Sequence, residues 1–113
     1  MTYTISHISG STDGQPIAVT GVDTGSSVLL HTAVAGTDID EIYIFANNIG
    51  TASVTLTIEF GGTGTSDKIV RTIPAKTTKL VVEGAILQGA KLVKAFASTG
   101  SVINVYGKVG TTV

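Results

Sequence analysis

Side chains able to do acid–base or nucleophilic chemistry are few in this 113-residue sequence, which has two histidines, eight acidic residues and no cysteine. The missing thiols remove disulfides, thiolate nucleophiles, zinc–thiolate sites and iron–sulfur clusters. Nucleophilic catalysis by an alcohol needs a base within hydrogen-bond reach and a third group to orient that base. Only His7 and His31 offer the base, and no serine stands in a G-x-S-x-G elbow. His31 alternates with Leu30 and Thr32 and reads as a strand histidine; His7 reads as a solvated or interface residue.

Three further groupings fail on spacing. The stretch Gly61-Gly62-Thr63-Gly64-Thr65-Ser66-Asp67-Lys68 has the glycines of a phosphate loop, but Asp67 occupies the place where glycine must precede lysine. No helix is expected behind it to aim amides at a phosphate, so it reads as a hairpin loop. Asp38, Asp40 and Glu41 could supply oxygen ligands to calcium, yet they lack the glycine and distal glutamate of an EF-hand. They read more simply as a turn entering a strand. Glu59 with Glu83, or either with Asp67, are the carboxylate pairs available for glycoside hydrolysis, and nothing beyond their presence favours that chemistry. There is no tryptophan to serve as a sugar platform. The residues predict no enzyme, no cofactor and no metal site.

Composition says more. Charged residues make up 13% of the chain and hydrophobic ones 42%, with a net charge of −1, and the mean hydropathy is +0.42. An average soluble domain carries about 25% charged residues, and charge is what keeps copies of a lone monomer apart. Depletion of charge is typical of surfaces covered by other protein, so the chain is expected to be a subunit of an oligomer or lattice. All seven basic residues lie between Lys68 and Lys108 and are offset by eight acidic ones. That gives no footprint for a nucleic-acid partner. No apolar run approaches the roughly 18 residues of a membrane span. The start, Met1-Thr2-Tyr3-Thr4, lacks a basic region followed by an apolar stretch, so no signal peptide is expected.

The elements that must position these residues follow a period of two. In Ser53–Phe60, Val54, Leu56, Ile58 and Phe60 alternate with Ser53, Thr55, Thr57 and Glu59, as a strand with one buried face requires. Asp40–Asn47 (DEIYIFAN) is apolar on both faces and reads as a central strand covered on both sides or lying at an interface. Ser27–Ala33, Lys68–Ile73, Lys91–Ala97 and Val102–Val109 are rich in β-branched or other apolar residues, and Thr2–Ile8, Pro16–Thr20 and Lys79–Val82 are shorter candidates. Gly-, Asn-, Asp- and Pro-containing breakers separate them at intervals of 8–12 residues, the signature of a sandwich or barrel. Residues 85–97 also fit a helical spacing through Ile86, Ala90, Val93 and Ala97. Gly89 argues for a turn followed by a strand instead. No linker or repeat divides residues 1–113, which read as one domain. Residues 1–9, with Tyr3, Ile5 and His7 alternating against Thr4, Ser6 and Ile8, are either an interface arm that adds a strand to a neighbouring subunit or an edge strand of their own sheet.

From Val28 onward the order of features resembles a known family. An apolar strand ends in His31-Thr32-Ala33-Val34-Ala35-Gly36-Thr37. Glu41–Asn47 and the alternating strand to Phe60 follow, then Ile73-Pro74-Ala75, Leu87-Gln88-Gly89, Ala95-Phe96-Ala97-Ser98 and Val102–Gly107. Over roughly residues 28–109 this pattern resembles the small β-sandwich virion proteins of tailed bacteriophages, of the head-decoration (cement) type. The resemblance implies an all-β, antiparallel, jelly-roll-like sandwich of about eight strands. It implies a homotrimer made in the host cytoplasm and seated on the capsid surface against the major capsid protein, with no catalytic residues, nucleic acid, membrane or small-molecule substrate. The residues expected at the interface are Tyr3 and Ile5 of the arm and Tyr43 and Phe45 of the two-sided apolar strand. A neck, tail or fibre component is the alternative within that class. A carbohydrate- or receptor-binding module, rimmed by Gly10–Gly14 and Gly61–Asp67, is the alternative outside it.

Overall fold

Alternating apolar and polar residues give nine strands in the computed structural model, which describes residues 2–113. They are β1 (Tyr3–His7), β2 (Ile17–Val19), β3 (Val28–Thr32), β4 (Ile39–Asn48), β5 (Val54–Phe60), β6 (Lys68–Ile73), β7 (Thr78–Leu87), β8 (Leu92–Ala97) and β9 (Ile103–Thr112). The only helical turns among the described residues are two short 3-10 turns, Thr24–Ser26 and Thr65–Asp67. The first is capped by Asp23, whose Oδ1 accepts the Ser26 amide at 2.9 Å.

All strand pairs are antiparallel. One sheet runs β1–β9–β4–β7, with β2 also paired to β9, and the other runs β3–β8–β5–β6. β1 pairs with residues 108–112 of β9 and β2 with residues 103–105, so the two short strands lie end to end along one edge of β9. Taken from β2 to β9, the orders 2-9-4-7 and 3-8-5-6 are those of a jelly roll, as expected.

Between the sheets, Ile42, Ile44 and Ala46 of β4 and Ile103 and Val105 of β9 meet Leu56 and Ile58 of β5 and Val93, Ala95 and Ala97 of β8, all fully buried. Burial of each large aliphatic side chain contributes about 1.5–3 kcal/mol. This layer is the source of the fold's stability.

The structure refines the sequence reading in three places. β7 is ten residues long, against the four expected at Lys79–Val82. Its pairing with β4 shifts between Ile42 and Tyr43 and again between Ile44 and Phe45. At the second shift Val81 and Val82 are consecutive and both buried. A bulge of this kind breaks the period of two, which hid the strand from a search for alternation. Residues 85–97 form the end of β7, a turn and β8. Gly89 and Ala90 there have φ of +69° and +58°, values no α-helix holds. β9 extends three residues past Val109, to Thr112.

Candidate functional site

On β4 the residues between the buried ones point the other way, so Tyr43 and Phe45 lie half-buried on the outer side of the β1–β9–β4–β7 sheet. The strand is thus covered by core on one side only. Register fixes their neighbours, because directly opposed residues share a face. Tyr43 opposes Lys108 and Phe45 opposes Tyr106 across β9. The Phe45 and Tyr106 rings stack with centroids 5.3 Å apart and planes inclined by 14°. The Lys108 Nζ stands 5.2 Å from the Tyr43 ring centroid, within cation–π range.

The same face continues onto β1. Ile5 opposes Gly110, and Gly110 opposes Glu41. Tyr3 lies across Gly110 so closely that a Cβ there would fall inside its ring atoms, and its hydroxyl donates to Glu41 Oε1 at 3.2 Å. Partial desolvation first, and then the Glu41 hydrogen bond and charge, push the Tyr3 phenol pKa up, so the hydroxyl stays a donor. Ile5 and Tyr3 are 64% and 56% exposed. Ile86 opposes Glu41 from β7 and is exposed too. The four residues expected at an interface therefore share one face of one sheet, with Tyr106 and Ile86 beside them. Tyr106 and Ile86 were not singled out in the sequence. The strands holding them were visible, but their register against β4, which aligns them with Phe45 and Glu41, was not. As for residues 1–9, β1 is hydrogen-bonded along β9 of its own chain.

The acidic group does not converge. Asp40 points inward and is buried, Glu41 points outward to Tyr3, and Asp38 sits in the preceding turn. Among the described residues no cluster of three His, Asp or Glu side chains is arranged to hold a metal. Asp40 instead joins the ends of the two sheets. Its Oδ2 accepts from His31 Nε2 at 2.7 Å and from the Val34 amide at 3.0 Å, and its Oδ1 accepts from the Thr111 hydroxyl at 2.6 Å. Burial alone would raise the carboxyl pKa. The hydrogen bonds from Thr111, His31 and Val34 outweigh it and hold Asp40 below the ordinary carboxylate range.

On its far side, His31 Nδ1 accepts the Ser9 amide at 2.9 Å. The proton of a neutral ring therefore sits on Nε2, facing Asp40. Ser9, His31 and Asp40 have the residue types of a catalytic triad without its geometry. The serine offers its amide to the ring, and its Oγ accepts from the Thr32 amide at 2.8 Å. With both nitrogens engaged and the residue buried, His31 is a latch between strands. Separations of 22 and 9 residues in sequence left no local signal for it.

The remaining carboxylate candidates are scattered. Glu83 lies on β7 opposite Tyr43, in the sheet opposite to Glu59. Asp67 closes its own loop, its Oδ2 accepting the Gly64 amide at 3.1 Å. Glu59 sits on the outer side of the second sheet, opposed by Lys94 on β8 and Lys68 on β6. It is nonetheless only 1% exposed. Its Oε2 takes the Thr24 hydroxyl at 2.9 Å and the Lys68 ammonium at 3.4 Å. Its Oε1 is buried and meets no hydrogen-bond donor among the described residues, a condition that costs about 1–3 kcal/mol. Glu59 borders a cleft of about 180 Å³ walled by the Gly61–Thr63 loop and by residues 90–92 and 94.

No helix among the described residues is long and apolar enough to cross a membrane. No protein-family model matches the chain, and no curated protein matches it. Among solved structures, a chain from the disulfide-linked pili of Bacillus endospore appendages superposes with a TM-score of 0.56 at 12% identity, over 97% of this chain and 87% of that one. At that identity the likeness concerns architecture: this chain has an antiparallel β-sandwich fold similar to that of a pilus subunit.

Proposed function

We propose that the chain is a structural subunit of a protein assembly, held there by the outer face of the β1–β9–β4–β7 sheet. The assembly we favour is the head of a tailed bacteriophage, with this protein as a decoration subunit bound across neighbouring shell proteins. The observation that carries the reading is the row of Tyr3, Ile5, Tyr43, Phe45 and Tyr106, on the side of a sheet whose other side already supplies the core. Aromatic residues are enriched at the centres of interfaces, and of the charged residues on this face Glu41 is hydrogen-bonded to Tyr3 and Lys108 stands over Tyr43. The 13% charged content of the chain points the same way. Jelly rolls recur in capsid domains, which supports the virion by analogy of fold.

Mechanistically, a subunit that binds only the assembled shell stabilises it by mass action. A trimer closed through this face would bring three shell-binding surfaces together and gain further from multivalency. Binding of the purified protein to shells built from the major capsid protein tests the virion reading. Saturable binding lost in Phe45→Ser is expected, and absence of binding at micromolar concentration contradicts it.

The likeness to a pilus chain favours a second reading, a filament subunit. With no cysteine in the sequence, any such filament would be joined without disulfides. Negative-stain microscopy of the concentrated protein separates the two: filaments support this reading, closed oligomers the first.

A further inference from the structure

The Glu59 cleft belongs to neither the core nor the aromatic face. It lies on the outer side of the opposite sheet, and its walls are tied together before anything binds, while Glu59 Oε1 is covered in the free protein and meets a ligand only when a side chain over it shifts. The Lys68 Nζ spans the carboxyl group of Glu59 at 3.4 Å and the carbonyl of Thr63 at 2.9 Å, tying the loop wall to the floor. The Gly61 amide donates to the Leu92 carbonyl at 2.8 Å, tying that wall to the opposite one. Asp67 is turned into its own loop, onto the Gly64 amide. What remains is a buried acceptor, Glu59 Oε1, without a donor. Beside it are the Lys91 and Lys94 side chains, neither of which forms an ion pair among the described residues, and the apolar Leu92.

From these observations we infer that the cleft binds a small acidic saccharide, a uronic-acid unit, with a hydroxyl donating to Glu59 Oε1 and the carboxylate held by Lys91 and Lys94. Each part of the ligand answers a part of the site. An orphan acceptor calls for an O–H or N–H donor. A further cation is disfavoured, because Lys68 already pairs with the Glu59 carboxyl group and Lys91 and Lys94 line the same small cleft. A hydroxyl is the neutral donor that remains, and the two lysines call for an anion. Leu92 offers an apolar surface for the carbon face of a sugar ring. The volume of about 180 Å³ is below the roughly 300 Å³ at which pockets for drug-sized ligands begin, and suits one ring. The sequence contained half of this signal: the Gly61–Asp67 loop was a candidate rim, but burial of Glu59 is a tertiary fact.

Titration of the isotopically labelled protein with D-glucuronate, followed by NMR, tests the inference. The backbone amides of Gly61, Gly62, Thr63 and Leu92 should shift saturably in the millimolar range. The Glu59 side-chain carboxyl carbon should follow the same curve, because the ligand's hydroxyl lands on it. D-glucose, which lacks the carboxylate, and acetate, which lacks the hydroxyls, should each bind at least about tenfold more weakly. Lys91→Gln alters an exposed residue, so it should leave the melting temperature unchanged and weaken D-glucuronate at least about tenfold. The inference is overturned if D-glucuronate shifts do not saturate, if Lys91→Gln binds it as well as the parent, or if the Glu59 carboxyl carbon stays still. It is equally overturned if the free protein shows the Lys94 ammonium bonded to Glu59 Oε1, since the acceptor would then need no ligand.

Discussion

Phe45 and Tyr106 stack across the β4–β9 pair with their ring centroids 5.3 Å apart, on the side of the sheet turned away from the core. Their neighbours Ile44 and Val105 are fully buried on the other side. This pair of rings on the outer side is what the proposed interface rests on. The stack itself is worth about 0.5–1.5 kcal/mol beyond area burial, so Tyr106→Ser should lower stability by about 1 kcal/mol in urea unfolding. Its larger effect should fall on association.

The latch between the sheets gives a sharper stability prediction. Asp40→Ala leaves the Val34 amide, the Thr111 hydroxyl and His31 Nε2 without their acceptor in a buried site. Breaking such a group typically costs about 3–5 kcal/mol. Urea unfolding should show a loss of that order; a loss under about 1 kcal/mol would mean that solvent satisfies the orphans.

Asp40 also predicts an acid response of definite sign. Its folded pKa lies below the ordinary value of 3.8, so its contribution is fully present above that value and is lost as pH falls through the folded pKa. Asp40→Asn keeps an oxygen for His31 and Val34 and turns its amide to Thr111, whose hydroxyl can rotate to accept. That variant should fold, and its stability should fall less steeply than the parent's below about pH 4. Equal acid slopes would show that Asp40 is not the group responsible.

The amide of Ser9 fixes a tautomer. Because it donates to His31 Nδ1 at 2.9 Å, the neutral ring should carry its proton on Nε2. Long-range proton–nitrogen correlation at alkaline pH should show the Nε2–H pattern for His31, whereas His7, whose Nδ1 is 2.8 Å from the Ile8 carbonyl, should show its proton on Nδ1. The reverse pattern at His31 would contradict the hydrogen-bond network.

Gly84 supports the aromatic face from below. It is the residue left over where β7 shifts register against Ile42 and Tyr43, and its φ is +80°. A Cβ there would come within 2.9 Å of the Tyr43 Oη. Gly84→Ala should therefore cost about 1–2 kcal/mol, the usual penalty for a left-handed L-residue, and should displace the Tyr43 ring. An unchanged melting temperature would argue that the bulge relaxes freely.

The legibility of the fold followed its periodicity. Val54, Leu56, Ile58 and Phe60 showed β5 in the sequence because each step of two lands in the core. β7 was seen only in part because its bulges put Val81 and Val82 side by side in the interior. Tyr3 and Ile5 could be chosen from the alternation of the first residues, and Tyr43 and Phe45 from a strand apolar on both faces, and the four do share a face. Their common neighbour Tyr106 could not, because register across β9 is a long-range property. The pairing of His31 with Asp40 and the burial of Glu59 were invisible for a related reason. Each depends on residues from different strands or sheets, and an isolated histidine or glutamate in a strand looks the same whether solvated or buried.

Sedimentation velocity on the parent and on Phe45→Ser/Tyr106→Ser, up to about 100 μM, tests the proposed assembly surface most directly. The parent should sediment as a species heavier than the 11.5 kDa chain, trimeric if the virion reading holds, and the double variant as a folded monomer with an unchanged circular-dichroism spectrum. A parent that remains monomeric over the whole range, or a double variant that associates as well as the parent, would contradict the claim that this sheet face holds the assembly together.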